Sequence, residues 1–275
     1  MELERQVAAH YGREGIEAAI IDALRNAGRP VDPLDPNDLA TVDEFHFGWG
    51  PITTELAKDA GFTASMHVLD IGSGIGGPAR HFARACGCRV TGVDLTEEFV
   101  AAAEALTRRC GQSDRVTFRT ASALALPFAD AAFDGATLMH VGMNIADKAK
   151  LFTEARRVLK RGGVFVVYDL MRVSDAPIPY PVPWAKTADT SFLEPPATYR
   201  RLLEAAGFRI EAEKDRAAFG LDLFAQMRAK AETEGPPPVS LQILMGAVTQ
   251  ESLGNAIGAV QQRLIAPVEM IGRAI

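Results

Sequence analysis

One stretch constrains this chain more than any other: Val68-Leu69-Asp70-Ile71-Gly72-Ser73-Gly74-Ile75-Gly76-Gly77. An apolar run ends in an acid and passes directly into a glycine-rich turn, after which residues 77–86 have the pattern of a helix. Val90-Thr91-Gly92-Val93-Asp94 repeats the theme as a second apolar run closed by a second acid. Strand, turn, helix and strand in that order form a βαβ unit, and such units build parallel sheets.

The same alternation continues along the chain. Strands are expected at His67–Ile71, Arg89–Asp94, Val116–Thr120, Gly135–Met139 and Val164–Leu170, and helices near Gly77–Cys86, Glu97–Cys110 and Lys148–Leu159. Leu159-Lys160-Arg161-Gly162-Gly163 reads as a helix exit and glycine turn. Ahead of this core, residues 2–28 have helical periodicity and end at Ala27-Gly28-Arg29-Pro30. An aromatic and glycine turn, Phe45-His46-Phe47-Gly48-Trp49-Gly50-Pro51, leads into a helix near residues 52–60. After the core, the proline-rich run 177–184 is expected to be extended. A helix near 195–207, a strand over 208–212, helices over 218–235 and 239–264, and a last strand over 267–273 complete the pattern. This organisation divides into an N-terminal helical extension (1–44), a core (45–170) and a C-terminal part (171–275) that completes the sheet and carries a loop and a helical cap.

Hydrophobic residues make up 48% of the 275, enough for a sizeable core. The net charge of −6 argues against an extended surface for nucleic acid or an anionic membrane. Cys86, Cys88 and Cys110 are too few and wrongly spaced for a zinc site or a disulfide scaffold. With a charged N-terminus lacking an apolar signal region and no run long enough to span a bilayer, they lead to the expectation of a cytoplasmic protein. No metal signature is present; Asp169 and Asn144 are too few oxygens to make one.

The glycine turn literally matches G-x-G-x-x-G, which by spacing alone says only that a ligand can approach the backbone at a helix N-terminus. Asp70 narrows the choice. A carboxylate two residues before the first glycine would repel a pyrophosphate and attract a cationic amino group. S-adenosylmethionine has such a group and no phosphate, and Asp94 is placed to accept hydrogen bonds from its ribose hydroxyls. The bland alternative is that both acids merely cap the helices that follow them.

With Val68–Gly77 and Val90–Asp94, the segments Ala123-Leu124-Ala125-Leu126-Pro127-Phe128, Ala132-Phe133-Asp134-Gly135-Ala136 and 155–163 resemble the successive motifs of class I S-adenosylmethionine-dependent methyltransferases. Gly76-Gly77-Pro78-Ala79-Arg80 and residues 139–145 are similar to the small-molecule branch, which includes sarcosine/dimethylglycine methyltransferases. The resemblance implies an α/β, Rossmann-like methyltransferase fold with a mostly parallel seven-stranded sheet and helices on both faces. It places Asp70, Gly72, Ser73, Gly74 and Gly76 at the methionine end of the cofactor and Asp94 and Leu95 at the ribose and adenine. Ser122 and Ala123 fall at the adenine edge, where many relatives have an Asp-Ala pair, and Met139 and His140 beside the sulfonium.

In-line methyl transfer needs a base only when the acceptor arrives protonated. His140, at the carboxyl end of the fourth strand, is the first candidate and His46 the second; His10, His67 and His81 are expected to be structural or exposed. Phe45, Phe47, Trp49, Tyr180 and Trp184 flank the core and could converge on a methylammonium substrate by cation–π contact or simply pack, with Trp49, Tyr180 and Trp184 taken as substrate-binding. The late segment 218–264 is amphipathic and could be a lid, a homodimer contact or core packing. The expected partner is thus a small-molecule substrate. Two other readings stay open: a nicotinamide-dependent oxidoreductase, opposed by Asp70 and by the lack of a Tyr-x-x-x-Lys pair, and a non-catalytic cofactor-binding assembly partner.

Overall fold

The computed structural model describes residues 2–246 and 249–275. In chain order the elements are α1 (Glu2–Tyr11), α2 (Ile16–Asn26), α3 (Ala40–Asp43), α4 (Trp49–Ala60), β1 (His67–Ile71), α5 (Gly77–Cys86), β2 (Arg89–Asp94), α6 (Glu97–Arg109), β3 (Val116–Thr120), β4 (Phe133–Met139) and α7 (Lys148–Val158). They continue with β5 (Leu159–Arg172), α8 (Pro196–Ala205), β6 (Phe208–Asp215), α9 (Ala217–Glu234), α10 (Gln242–Met245), α11 (Thr249–Gln261) and β7 (Ile265–Ala274).

The strands form one seven-stranded sheet in the order β3-β2-β1-β4-β5-β7-β6. Strands β1 to β5 are mutually parallel, and β7 is antiparallel to both β5 and β6. The chain runs outward from β1 through β2 to β3, then returns to place β4 on the other side of β1. That reversal leaves a crevice beyond the carboxyl ends of β1 and β4, where open α/β sheets bind ligands.

Alternation along the strands loads both faces. Val68, Val90, Val164 and Val166 share one buried cluster with Ile52, Phe82 and Ala103 of α4, α5 and α6. Leu69, Phe165 and Val167 share the opposite cluster with Phe152, Tyr199 and Val260 of α7, α8 and α11. This is the expected α/β fold class with helices on both faces. A third cluster joins Ile20 and Leu24 of α2 to Phe99 and Leu106 of α6, which fixes the N-terminal helices over the β2–β3 edge.

Two helices read as continuous from periodicity are broken. Gly15, at φ +72°, separates α1 from α2, and Gly246, at φ +76°, ends α10. A left-handed residue cannot continue a right-handed helix, although the apolar spacing carries on past it. Residues 247–248 of the expected 239–264 helix lie outside the described residues. Strand β5 pairs Leu159 with Phe133 and then Val164 with Gly135, so residues 160–163 are looped out where a glycine turn was expected. Helix α9 buries only Ala217 and Gly220; its Leu221, Phe224 and Met227 are half-buried. No described helix is long and apolar enough to cross a membrane. Cys88 is buried, and Cys86 and Cys110 are half-buried free thiols.

Candidate active site

A cavity of about 790 Å³ opens at the crevice, near the upper end of the roughly 300–1,000 Å³ usual for ligand sites. Its floor is the glycine turn: Asp70, Gly72, Ser73, Gly74 and Ile75 all line it. Gly72 has φ +75°, and a Cβ there would lie 2.2 Å from Val141 Cγ2, so any side chain would push the turn off the loop that follows β4. Gly76 is outside the cavity lining; it sits at φ +87° as the residue that turns the chain into α5.

Asp70 is 1% exposed. Its Oδ1 accepts a hydrogen bond from Thr137 Oγ1 at 2.7 Å, while Oδ2 is buried without a protein partner. Burial pushes its carboxyl up to about 7, against the lowering effect of Thr137. The Ser73 hydroxyl is likewise buried and unpartnered. Two orphaned polar atoms at the base of a cavity mark a place where a ligand's polar groups belong. A cationic amino group at Asp70 Oδ2 would supply the missing donor and reverse the upward pressure on the carboxyl.

Asp94 closes β2. Its Oδ2 accepts from Gly74 N at 2.8 Å and its Oδ1 from Thr96 N at 2.9 Å. It therefore clamps the glycine turn as well as lining the cavity, and each oxygen retains a lone pair for a ligand hydroxyl. Leu95, Ser122, Ala123 and Met139 complete this side of the cavity. Ser122, which replaces the acid of the Asp-Ala pair, donates to Glu4 Oε1 of α1 at 2.5 Å. Glu4 also lines the cavity, so a carboxylate from the N-terminal helix stands where the core lacks one. Nothing local to residue 122 announces this; the contact spans 118 residues.

Both candidate histidines face the cavity. Their ring centroids are 6.2 Å apart, and His140 stacks on Tyr168 at 5.2 Å. His140 has φ +54° and its backbone N–H donates to Tyr168 O at 2.7 Å. Its Nε2 is buried and unpartnered, and burial, together with neighbouring His46, lowers its pKa well below 6.5. His46 has a different setting. Its Nε2 lies 2.8 Å from Glu44 Oε2, and Thr53 Oγ1 donates to the same carboxylate oxygen at 2.7 Å. A carboxylate acceptor requires the proton on Nε2, so in the neutral ring Nδ1 is the unprotonated nitrogen; Nδ1 is buried and unpartnered. Glu44 was not foreseen. The only trace of it in the sequence is an acid two residues before a histidine in the aromatic turn.

The aromatic residues divide. Phe45, Phe47, Trp49 and Trp184 line the cavity; Tyr180 does not and packs half-buried against the core. Trp49 stacks on Phe224 of α9 at 6.0 Å, and Trp184 Nε1 donates to Ser191 Oγ at 2.9 Å. The far wall comes from Met227, Leu241, Leu244, Leu253 and Ile257 in the late helices and their connections. One half of the cavity is thus polar at the strand ends, and the other is mainly apolar, with Arg228, Ser240, Gln242 and Gln250 also in its lining. Of the histidines expected to be structural or exposed, His10 contacts Pro183 O at 3.0 Å and His67 contacts Thr91 Oγ1 at 2.9 Å.

Residues 69–167 match a family profile described as a methyltransferase domain. Sterol 24-C-methyltransferase ERG6B of Gibberella zeae is 36% identical over 114 residues, covering 42% of this chain and 30% of that protein. O-methyltransferase resE of Aspergillus sclerotiorum is 31% identical over 163 residues, covering 58% of this chain and 61% of that protein. The chain thus spans less than two thirds of the length of these relatives. A solved geranyl diphosphate methyltransferase in complex with GPP and sinefungin superposes over all of both chains with a TM-score of 0.73 at 16% identity, a likeness of fold.

Proposed function

We propose that this chain, built on the class I methyltransferase fold, binds S-adenosylmethionine at the glycine turn and methylates a small-molecule acceptor held in the same cavity. One observation carries the reading: the buried, unpartnered Oδ2 of Asp70 at the floor of a cavity whose other half is mainly apolar. The bound cofactor would supply an activated methyl carbon, so the protein's task is to orient both ligands and exclude water.

Asp70 and Ser73 hold the polar groups of the methionine end, with Gly72 and Gly74 allowing close approach and Gly76 shaping the turn. Asp94 and Leu95 take the ribose, and Ser122, Ala123 and Glu4 the adenine edge. Met139 closes the floor beside the reaction centre. Residues 45–170 act as the binding core, while 1–44 and 171–275 form the cap. Trp49 and Trp184 serve as walls for the acceptor, with Tyr180 a buttress outside the cavity. Each tryptophan is tied to a protein neighbour, which favours a bulky, largely apolar acceptor over a small methylammonium in an aromatic cage. The names of the relatives, a sterol methyltransferase among them, support an acceptor of that kind. The oxidoreductase reading has only the glycine spacing behind it.

Calorimetry tests the cofactor. S-adenosylmethionine and S-adenosylhomocysteine are expected to bind and NAD not to; the reverse pattern would overturn the proposal. Turnover with a panel of sterol, isoprenoid and polyketide alcohols, read as S-adenosylhomocysteine release, tests the acceptor class.

Of the two histidines, His46 takes the proton of the acceptor at Nδ1, and His140 shapes the cavity in its neutral form. The fixed tautomer of His46 and the depressed basicity of His140 support this assignment. His46→Ala is expected to lower the single-turnover rate by about 10²–10⁴-fold with unchanged cofactor affinity. His140→Ala is expected to act mainly on acceptor KM. If the two variants exchange these signatures, the base is His140.

A further inference from the structure

The Glu44 carboxylate is shared. Its Oε2 faces His46 at 2.8 Å, and its Oε1 faces Nδ1 of a second imidazole, His81 of α5, at 2.9 Å. Hydrogen bonds from the two rings, opposed by burial, hold this carboxyl well below its ordinary range, so Glu44 is an anion. The two imidazoles are not equivalent. The His46 side chain is 2% exposed and faces the large cavity. The His81 side chain is 13% exposed and lines a separate cleft of about 580 Å³.

The two rings also differ in their hydrogen-bond partners. His81 Nε2 lies 2.9 Å from Thr54 Oγ1, and that hydroxyl is also 3.1 Å from Gly50 O, to which it can donate. With its proton on Gly50 O the hydroxyl accepts from Nε2, and Nδ1 donates to Glu44. In that arrangement both nitrogens of His81 carry protons and the ring is an imidazolium. His46 needs only its Nε2 proton to satisfy Glu44. That arrangement matches the one negative charge of Glu44 with one positive charge, on His81.

We propose that His81 is a positioning residue that keeps His46 available as a base. Its imidazolium neutralises Glu44, so the carboxylate does not draw a second proton onto His46, and Nδ1 stays free. The inference rests on the reading of His46 as the base. The other groups facing this cluster are few. Thr53 of α4 donates to Glu44, the neighbouring Asp43 is paired with Arg80 at 2.7 Å, and Asp70 of β1 lies within electrostatic reach of Glu44. His46 faces the rings of His140 and Tyr168. Among these groups Arg80 is the other cation, and it is held by Asp43. His81 is therefore the ring that contacts Glu44 on the side away from the cavity.

The experiment compares His81→Ala, His81→Asn and His81→Lys in the full chain. Two readouts are followed against pH: the single-turnover methylation rate and the ¹⁵N side-chain resonances of His46. An uncompensated Glu44 anion at hydrogen-bond distance from His46 shifts that ring's titration by about one unit or more. In His81→Ala the His46 resonances and the acid limb of the rate profile should both move up by about one pH unit, lowering the rate on that limb about tenfold. His81→Asn, which keeps a donor but no charge, should shift in the same direction. His81→Lys should restore the original position. Calorimetric cofactor binding shows that each variant is folded. An unmoved His46 titration in both His81→Ala and His81→Asn would overturn the proposal, as would a uniform fall in rate at every pH. If the resonances move and the rate profile does not, the coupling stands and the assignment of His46 as base fails.

Discussion

Asp70→Asn is expected to abolish useful cofactor binding while making the ligand-free protein more stable. Asparagine keeps the shape and can still accept from Thr137, but it offers no charge to an amino group. Removing one partner of a desolvated, hydrogen-bonded charge pair costs about 2–5 kcal/mol, a factor of roughly 30–4,000 in Kd. Stability moves the other way because burial has raised Asp70 from its ordinary value of 3.8 to about 7. For an acid with a raised pKa, the fold prefers the protonated form. That contribution is full below about pH 4 and is lost as pH rises through 7. The variant should therefore melt higher than the parent at pH 8 and match it near pH 4. In the parent, affinity for S-adenosylmethionine should weaken as pH falls below 7, since the empty site must first lose a proton to bind the cation. Calorimetry from pH 6 to 8.5, with thermal melts of the ligand-free protein at pH 4 and 8, measures both effects. Unchanged affinity in Asp70→Asn would remove the reason for placing the methionine end at this carboxylate.

The legible part of this molecule was the part written in local pattern. Strands β1, β2 and β3 fall at the expected bounds because β1 and β2 are short, largely apolar runs and β3 alternates apolar Val116 and Phe118 with polar residues, and α5 starts at Gly77, the last glycine of the turn. The cofactor half of the site was legible for the same reason. Asp70, the glycines and Asp94 lie within 25 residues of one another, and the fold brings them together through a single βαβ unit. The substrate half was legible only in outline. Trp49 and Trp184 reach the cavity, but Tyr180, from the same aromatic set, does not, because side-chain direction in an irregular proline-rich loop is set by packing that no periodicity encodes. Glu4 on Ser122 and His81 on Glu44 join residues 118 and 37 positions apart. Such pairings depend on how α1 and α5 dock, and docking is a property of the assembled core.

Arg80 shows how firmly that docking is built into the site, and replacing it should have the largest effect on stability. Its guanidinium is 1% exposed and joins three elements. Nη2 donates to Asp43 Oδ2 of α3 at 2.7 Å and to Ile75 O of the glycine turn at 2.8 Å. Nη1 donates to Thr107 Oγ1 of α6 at 2.9 Å. Arg80→Leu strands Asp43 as an uncompensated buried carboxylate, a change that costs about 3–5 kcal/mol. A shift of that size in urea unfolding is a large share of the roughly 5–15 kcal/mol that holds a typical native protein together. Arg80→Lys should recover only part of the loss, because one ammonium cannot span acceptors that the planar fork reaches from two nitrogens. The double variant Asp43→Leu with Arg80→Leu should be more stable than Arg80→Leu alone, since the stranded charge is then gone. If it is not, the penalty lies in packing rather than in the ion pair. Asp43 immediately precedes Glu44, so loosening this bolt also releases the carboxylate that holds His46. Arg80→Lys should therefore lose methylation rate out of proportion to its loss of stability. A rate that falls only in step with the unfolded fraction would show that Arg80 supports the fold and not the site.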